Sequence, residues 1–179
     1  MFSRGCFEAI NSYAKYKNNQ YLSLEKVLFM NTTVRLIKKS DIEEWVRMRN
    51  LLWPGSPEDH IRETNEFFSE KGFYGAVEVF VAENPLGKVI GFVELNIRSV
   101  VDGAASGDIP YVEGWYVDEN HRNRGVGKLL INEISNWAVK KGYSEIGSDT
   151  ELDNNISIQA HKALGFKEAD RKICFIKTL

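Results

Sequence analysis

The stretch that most restricts how this chain can fold runs from residue 111 to residue 142, where YVEGWYV gives way to RNRGVG and then to KLLINEISNWAVKKG. The first part has the short period of a strand. In the last part Val126, Leu129, Leu130, Ile134, Trp137 and Ala138 recur three and four residues apart, as on one face of a helix, and Gly142 ends it. The run SEIGS beyond it reads as another strand, so this half of the chain predicts a β-α-β crossover. Glycine is a poor helix former, yet Gly125 and Gly127 stand where the helix begins. A helix N-terminus carries unpaired N–H groups and a partial positive charge, which makes it an anion site, and glycines keep side chains out of the approach. A plain glycine-rich turn with solvated arginines is the alternative. The spacing matches neither G-x-G-x-x-G nor a P-loop ending in Lys-Ser/Thr, so the implied ligand is a phosphate carrier of another kind.

The rest of the chain sets this crossover in an α+β frame. TTVRLIKKSDIEEWVRMRNLLW reads as a short strand and a helix, with Ser40 as N-cap and Glu43 completing a capping box. WPGSPEDH breaks that helix, and a second restarts near Ser56 through HIRETNEFFSEKG. AVEVFVAE and VIGFVELNIR read as strands joined by the turn Asn84-Pro85-Leu86-Gly87, and the polar loop VVDGAASGDIP leads to a third, YVEGWYV. Val93, Leu95 and Ile97 alternate with Glu94, Asn96 and Arg98, predicting a sheet with one buried face. After SEIGS, a helix through NNISIQAHKAL stops at Gly165, and a final strand pair ends in KICFIKTL. The order β-α-α-β-β-β-α-β-α-β describes a mostly antiparallel mixed sheet flanked by helices. Residues 1–31 differ in character, being polar and aromatic with weak helical tendency near 21–29. They read as an N-terminal extension (natural, an upstream start or an expression remnant), with Met30 a candidate initiator and 32–179 the domain proper.

Composition narrows the function. Of 179 residues, 43% are hydrophobic and 27% charged, ordinary for a soluble globular protein, and a formal net charge of -2 gives no basic field for nucleic acid. No apolar run is long enough to span a membrane and none resembles a secretory signal, so a cytoplasmic protein is expected. Cys6 and Cys174 form no metal or redox motif and read as free thiols; no metal site is expected.

Arg122-x-x-Gly125-x-Gly127, between a strand and an amphipathic helix, resembles the pyrophosphate motif of the GNAT acetyltransferases, and HKALGF (residues 161–166) resembles the end of that superfamily's next helix. The resemblance spans about residues 34–178. RNLLWPG, VELNIR, the loop with VDG, YVEGWYV, HRNRGVG, SDTELDNNIS and HKALGF together look like a dimeric, chromosomal-type aminoglycoside 6′-N-acetyltransferase. The resemblance implies a GNAT fold, acetyl-CoA as cosubstrate, an aminoglycoside substrate, resistance as the outcome, and a homodimer. A GNAT enzyme acting on another amine (a polyamine or protein N-terminus) and a non-catalytic CoA-binding module are the alternatives.

The resemblance also implies roles for particular residues. Arg122, Arg124, Gly125, Val126, Gly127 and Lys128 would hold pyrophosphate; Tyr116 and Val117 would line the pantetheine arm beside a splay between YVEGWYV and SEIGS; Asn154 and Ser157 would touch the same arm. Acyl transfer to an amine needs an acceptor for the ammonium proton. Glu113, in phase with Tyr111 and Trp115, and Asp149, at the end of SEIGS, are the candidate acids; a salt-bridged sheet residue and a turn cap are their structural alternatives. Where the superfamily has tyrosine as the thiolate's acid, this chain has His161, either a proton donor or a packing residue, with Tyr116 and Ser157 as other donors. Trp53, Asp59 and His60, with Glu58 beside them and Asp102 and Asp108 in the loop before Glu113, are expected to receive a polycationic substrate; solvated surface acids are the alternative.

Overall fold

The computed structural model describes residues 31–69 and 76–179. The expectations for 1–30, including the helical tendency at 21–29, and for Cys6 lie outside the described residues. Five strands form one sheet in the order β1-β2-β3-β4-β5: Thr33–Leu36, Glu78–Glu83, Val89–Arg98, Ile109–Val117 and Gly147–Ser148. The first four are antiparallel, and β5 joins β4 in parallel through the crossover helix α3, Val126–Lys140. Helices α1 (Ile42–Leu52) and α2 (Pro57–Phe67) lie between β1 and β2 in sequence, and α4 (Asn155–Ala163) follows β5.

Both faces of the sheet are covered, which corrects the expectation of a single buried face. On one side α1 packs Trp45 and Met48 against Val79, Val81, Phe92 and Tyr116. On the other α3 packs Val126, Leu130, Ile131 and Ile134 against Phe80, Ala82, Val93, Leu95 and Val112. Full burial of each large apolar side chain contributes about 1.5–3 kcal/mol, so these two layers fix the sheet between them. Glu94 belongs to the strand face expected to be polar, yet it is only 2% exposed because α1 covers it.

The ends of several elements differ from expectation. Helix α1 follows a 3-10 turn with Asp41, not Ser40, at its N-cap position and no side-chain cap, because the Asp41 carboxylate is turned back to accept hydrogen bonds from the Lys38 N–H and from Arg35. The restart at Ser56, with Pro57 in the first turn of α2, is as expected, and so is the turn at Asn84, whose Oδ1 accepts from the N–H groups of Leu86 and Lys88. SEIGS contributes only Gly147 and Ser148 as strand. The expected C-terminal strand pair is absent: residues 167–179 are irregular, with Phe175 and Ile176 90% and 97% exposed. A strand needs a neighbour for its backbone groups, and no described strand of this chain pairs with KICFIKTL.

Candidate active site

The parts of the site converge at the middle of β4. Residues Gly91 to Glu94 of β3 pair with Val117 to Gly114 of β4, but Leu95 pairs with Val112, leaving Glu113 as an extra residue. Such a bulge re-aims a side chain. Glu113 therefore falls out of phase with Trp115, which packs against the α3 layer, and instead faces a pocket of about 360 Å³ with Arg49, Trp53, His60 and Glu94. The in-phase alternation of Glu113 with Trp115 expected from sequence is corrected by this one residue. Trp53 lies over Gly114, where a Cβ would collide with the indole, and so roofs the strand beside Glu113.

Three sets of polar contacts fix the pocket. Arg98 donates to both oxygens of Glu113, lies 3.9 Å from Asp149, and stacks 3.6 Å from the Tyr111 ring centroid. Burial and a hydrogen bond with Asp149 hold the Tyr111 hydroxyl well above its usual range. Glu113 and Asp149 are thus brought together around one arginine, although Asp149 is 73% exposed. Beneath them Glu94 accepts from Trp45 Nε1 at 2.7 Å and from Arg49 at 2.8 Å, while Arg49 also reaches Glu63. Burial is the main influence on Glu94 and pushes its carboxyl up to about 7, against the opposing pull of Arg49 and Trp45. In the third set His60 Nδ1 lies 2.6 Å from Asn50 Oδ1, its ring 6.3 Å from Trp53. Burial, then the Arg49 charge, lowers the His60 pKa. Asp59 turns aside to pair with Arg62, and Asp102 pairs with Lys172 of the C-terminal segment.

On the far side of β4 lies an opening. Only Tyr111 and Val112 pair with β5, so among the described residues the strand from Glu113 to Val117 has no partner on that edge. The resemblance implies a splay of one residue between these strands; the opening here spans Glu113 to Val117. Its upper end meets the start of α3, whose N-cap Gly125 has φ 85° and makes no side-chain cap. A positive φ suits glycine, and a Cβ on Gly127 would lie 2.7 Å from Trp115 Cζ2. Each glycine therefore has a structural reason to be there beyond clearing an anion's path. The first bond of the helix is made by the Leu129 N–H to Gly125 O, so the amides of Val126, Gly127 and Lys128 precede the hydrogen-bonded ladder. Arg122 is exposed, donates to Val117 O and stands 5.5 Å from the Tyr116 ring; Arg124 and Lys128 are also exposed. The Tyr116 ring packs on Phe92 in the α1 layer, so its main chain, not its hydroxyl, borders the opening.

His161 borders the same opening from α4. Its Nδ1 donates to the Ser157 carbonyl at 2.8 Å, its Nε2 accepts from Ser148 Oγ at 2.9 Å, and its ring sits edge-on to Trp115 and Phe166. Asn154 caps α4 by accepting from the Ser157 N–H.

The acetyltransferase (GNAT) family model matches residues 45–166. The chain belongs to the GNAT acetyltransferase family. Aminoglycoside N(6′)-acetyltransferase type 1 of Klebsiella aerogenes is 40% identical over 147 residues, 82% of this chain and 96% of that protein. The protein of the same name from Salmonella enteritidis is 36% identical, over 80% of this chain and 97% of its own length. Among solved structures, AAC(6′)-Iy in complex with the bisubstrate analog CoA-S-monomethyl-acetylneamine matches with TM-score 0.74 at 35% identity, covering 83% of this chain and 99% of that one.

Within this GNAT domain the sequence had singled out Glu113, Asp149 and His60, but not Arg49, Glu94, Arg98 or Asn50. Arg49 did carry a signal, since it follows Trp45 by four residues and so shares the buried face of α1.

Proposed function

We propose that this GNAT enzyme is an aminoglycoside 6′-N-acetyltransferase, transferring acetyl from acetyl-CoA to the 6′-amino group and so conferring resistance. The observation that carries this reading is the acidic, aromatic pocket beside the β4–β5 opening, in a chain 40% identical to an enzyme of that name over nearly its whole length. A cationic amino sugar suits such a pocket through Coulomb attraction and ring stacking.

The cosubstrate fits the chain's own groups. The uncapped amides at Gly125, Val126, Gly127 and Lys128, with Arg122 and Arg124, suit a pyrophosphate. The edge of β4 at Tyr116 and Val117 that no described strand pairs with suits the extended arm, and Asn154 and Ser157 at the start of α4 are the further residues proposed to touch it. When bound, acetyl-CoA supplies the thioester carbonyl that the amine attacks. Glu113 and Asp149 hold the substrate's ammonium, aligned by Arg98, while Trp53 and His60 form the wall against which the sugar rests and Asp59, paired with Arg62, adds only its charge from outside the pocket. His161, its Nδ1 committed to a carbonyl, accepts from the Ser148 hydroxyl at Nε2, and protonation of that Nε2 would turn it into the donor for the departing thiolate.

The C-terminal residues favour a homodimer. Ile173, Phe175 and Ile176 are exposed, and the outer edge of β5 has no described partner, so KICFIKTL has the pattern of a strand awaiting a second copy. The cytoplasm, where acetyl-CoA is made and used, is the place of action; among the described residues no helix is long and apolar enough to cross a membrane.

Steady-state acetylation of kanamycin and tobramycin, of aminoglycosides lacking a 6′-amine, and of spermidine and an N-terminal peptide tests the reading. Turnover confined to compounds with a 6′-amine is expected. Acetylation of only spermidine or the peptide overturns it.

A further inference from the structure

The geometry points to His60 as the group that takes the proton from the substrate's ammonium, with Asn50 fixing the tautomer that makes this possible. The inference rests on the proposed amine acetylation and adds to it a base that the acids do not supply. An amine attacks a thioester only after losing a proton, and the acceptor needs a free lone pair within the pocket.

Each carboxylate of the site shares its charge with an arginine, and the lone pairs left on Glu113 and Asp149 are those that hold the ammonium. Both oxygens of Glu113 accept from Arg98, and both oxygens of Glu94 accept from Arg49, Oε1 also from Trp45. Asp149 shares Arg98 and Tyr111 and is largely in solvent. Outside the pocket, His161 uses its two nitrogens on Ser157 and Ser148. His60 differs. Asn50 Oδ1 is a carbonyl oxygen and can only accept, so Nδ1 carries the ring proton and Nε2 keeps its lone pair. His60 is 7% exposed and lines the pocket with Trp53 and Glu113.

The charged groups around His60 are Arg49 from α1, Asp59 and Glu63 from α2, Glu94 from β3 and Glu113 from β4. Burial and Arg49 keep the ring neutral, while the acids nearby stabilise the imidazolium once it forms. The step balances. The Nε2 lone pair forms an N–H bond as one ammonium N–H breaks, and that electron pair stays on nitrogen to attack the carbonyl. The new imidazolium returns its proton to solvent, while the second proton lost by the amine matches the one gained by the thiolate.

The test combines kinetics with a direct reading of the ring. In the full chain His60→Ala is expected to lower kcat/KM for tobramycin about 100-fold at pH 7, to abolish the acid limb of its pH profile, and to regain at least about tenfold with added imidazole. Acetyl-CoA affinity should be unchanged. In the wild-type protein the His60 ring should titrate below the ordinary histidine range by NMR, and its resonances should move when tobramycin is added. If His60→Ala does not fold, Asn50→Leu carries the test: the freed ring proton can move to Nε2, and kcat/KM should fall several-fold with acetyl-CoA affinity retained. A folded His60→Ala enzyme within about threefold of wild type with its acid limb intact overturns the inference, and so do His60 resonances indifferent to tobramycin. A wild-type enzyme that leaves tobramycin unmodified but acetylates spermidine overturns the aminoglycoside reading instead, and the His60 variants are then measured with spermidine.

Discussion

Arg98 grips Glu113 through two parallel hydrogen bonds, Nε to Oε1 at 2.9 Å and Nη2 to Oε2 at 2.6 Å, with its guanidinium flat on the Tyr111 ring. The β-bulge turns Glu113 into the pocket, and this fork holds it there. Glu113 and Asp149 are therefore one unit, since Asp149 is joined to the same arginine and to Tyr111.

If alignment is what Arg98 contributes, charge alone cannot replace it. Arg98→Ala should lower kcat about tenfold, or ~1.4 kcal/mol in barrier, with acetyl-CoA affinity unchanged. Arg98→Lys should restore little of this, because an ammonium has neither the planar fork nor the stacking face. Steady-state kinetics of the two variants check it; full recovery with lysine would assign the effect to charge.

Glu94 makes stability depend on pH. Its folded-state carboxyl is raised to about 7, above the ordinary value of 4.5, so the folded protein binds the proton more tightly than the unfolded chain does. Its stabilising contribution is present below about pH 4.5 and is lost as pH rises through 7. Glu94→Gln retains acceptor capacity for Trp45 and removes the titration. The stability of wild type minus that of the variant should fall between pH 4.5 and pH 8, by about 3 kcal/mol at most. Denaturant titrations at several pH values read this directly, and a difference flat with pH counts against the assignment.

Gly127 tests the packing at the start of α3. In Gly127→Ala the new Cβ lies 2.7 Å from Trp115 Cζ2, so the indole must move. The expected cost is about 2 kcal/mol, a Tm lower by roughly 4–8 °C, together with weaker acetyl-CoA binding. Thermal denaturation and calorimetric titration measure the two effects.

Phe175 tests the C-terminal strand. Light scattering should give wild type twice the mass of the chain, and Phe175→Asp, which places a charge on the strand proposed to pair with a second copy, should give the monomer mass. A dimer unaffected by the substitution would put the interface elsewhere.

How far the sequence could be read depended on whether a feature was local. The α3 crossover was legible because its period, its opening glycines and its end at Gly142 all lie within one stretch. The burial of Glu94 was not, because strand alternation cannot reveal that α1, some 45 residues earlier, covers the polar face; the Trp45–Glu94 bond spans 49 residues. The bulge at Glu113 also escaped, since one extra residue in a strand leaves composition and pattern nearly unchanged. KICFIKTL has the pattern of a strand, but the pattern does not state which chain supplies the neighbour. The candidate acids were found and their arginine was not, because Arg98 looked like one more residue of a solvated face.

The central claim is that the start of α3 grips the diphosphate of acetyl-CoA. The most direct measurement is the backbone amide spectrum during titration with coenzyme A. The amides of Gly125, Val126, Gly127 and Lys128 should show the largest shifts, saturating with the affinity measured by calorimetry. Saturable binding that leaves those four unmoved while amides elsewhere respond would contradict the account.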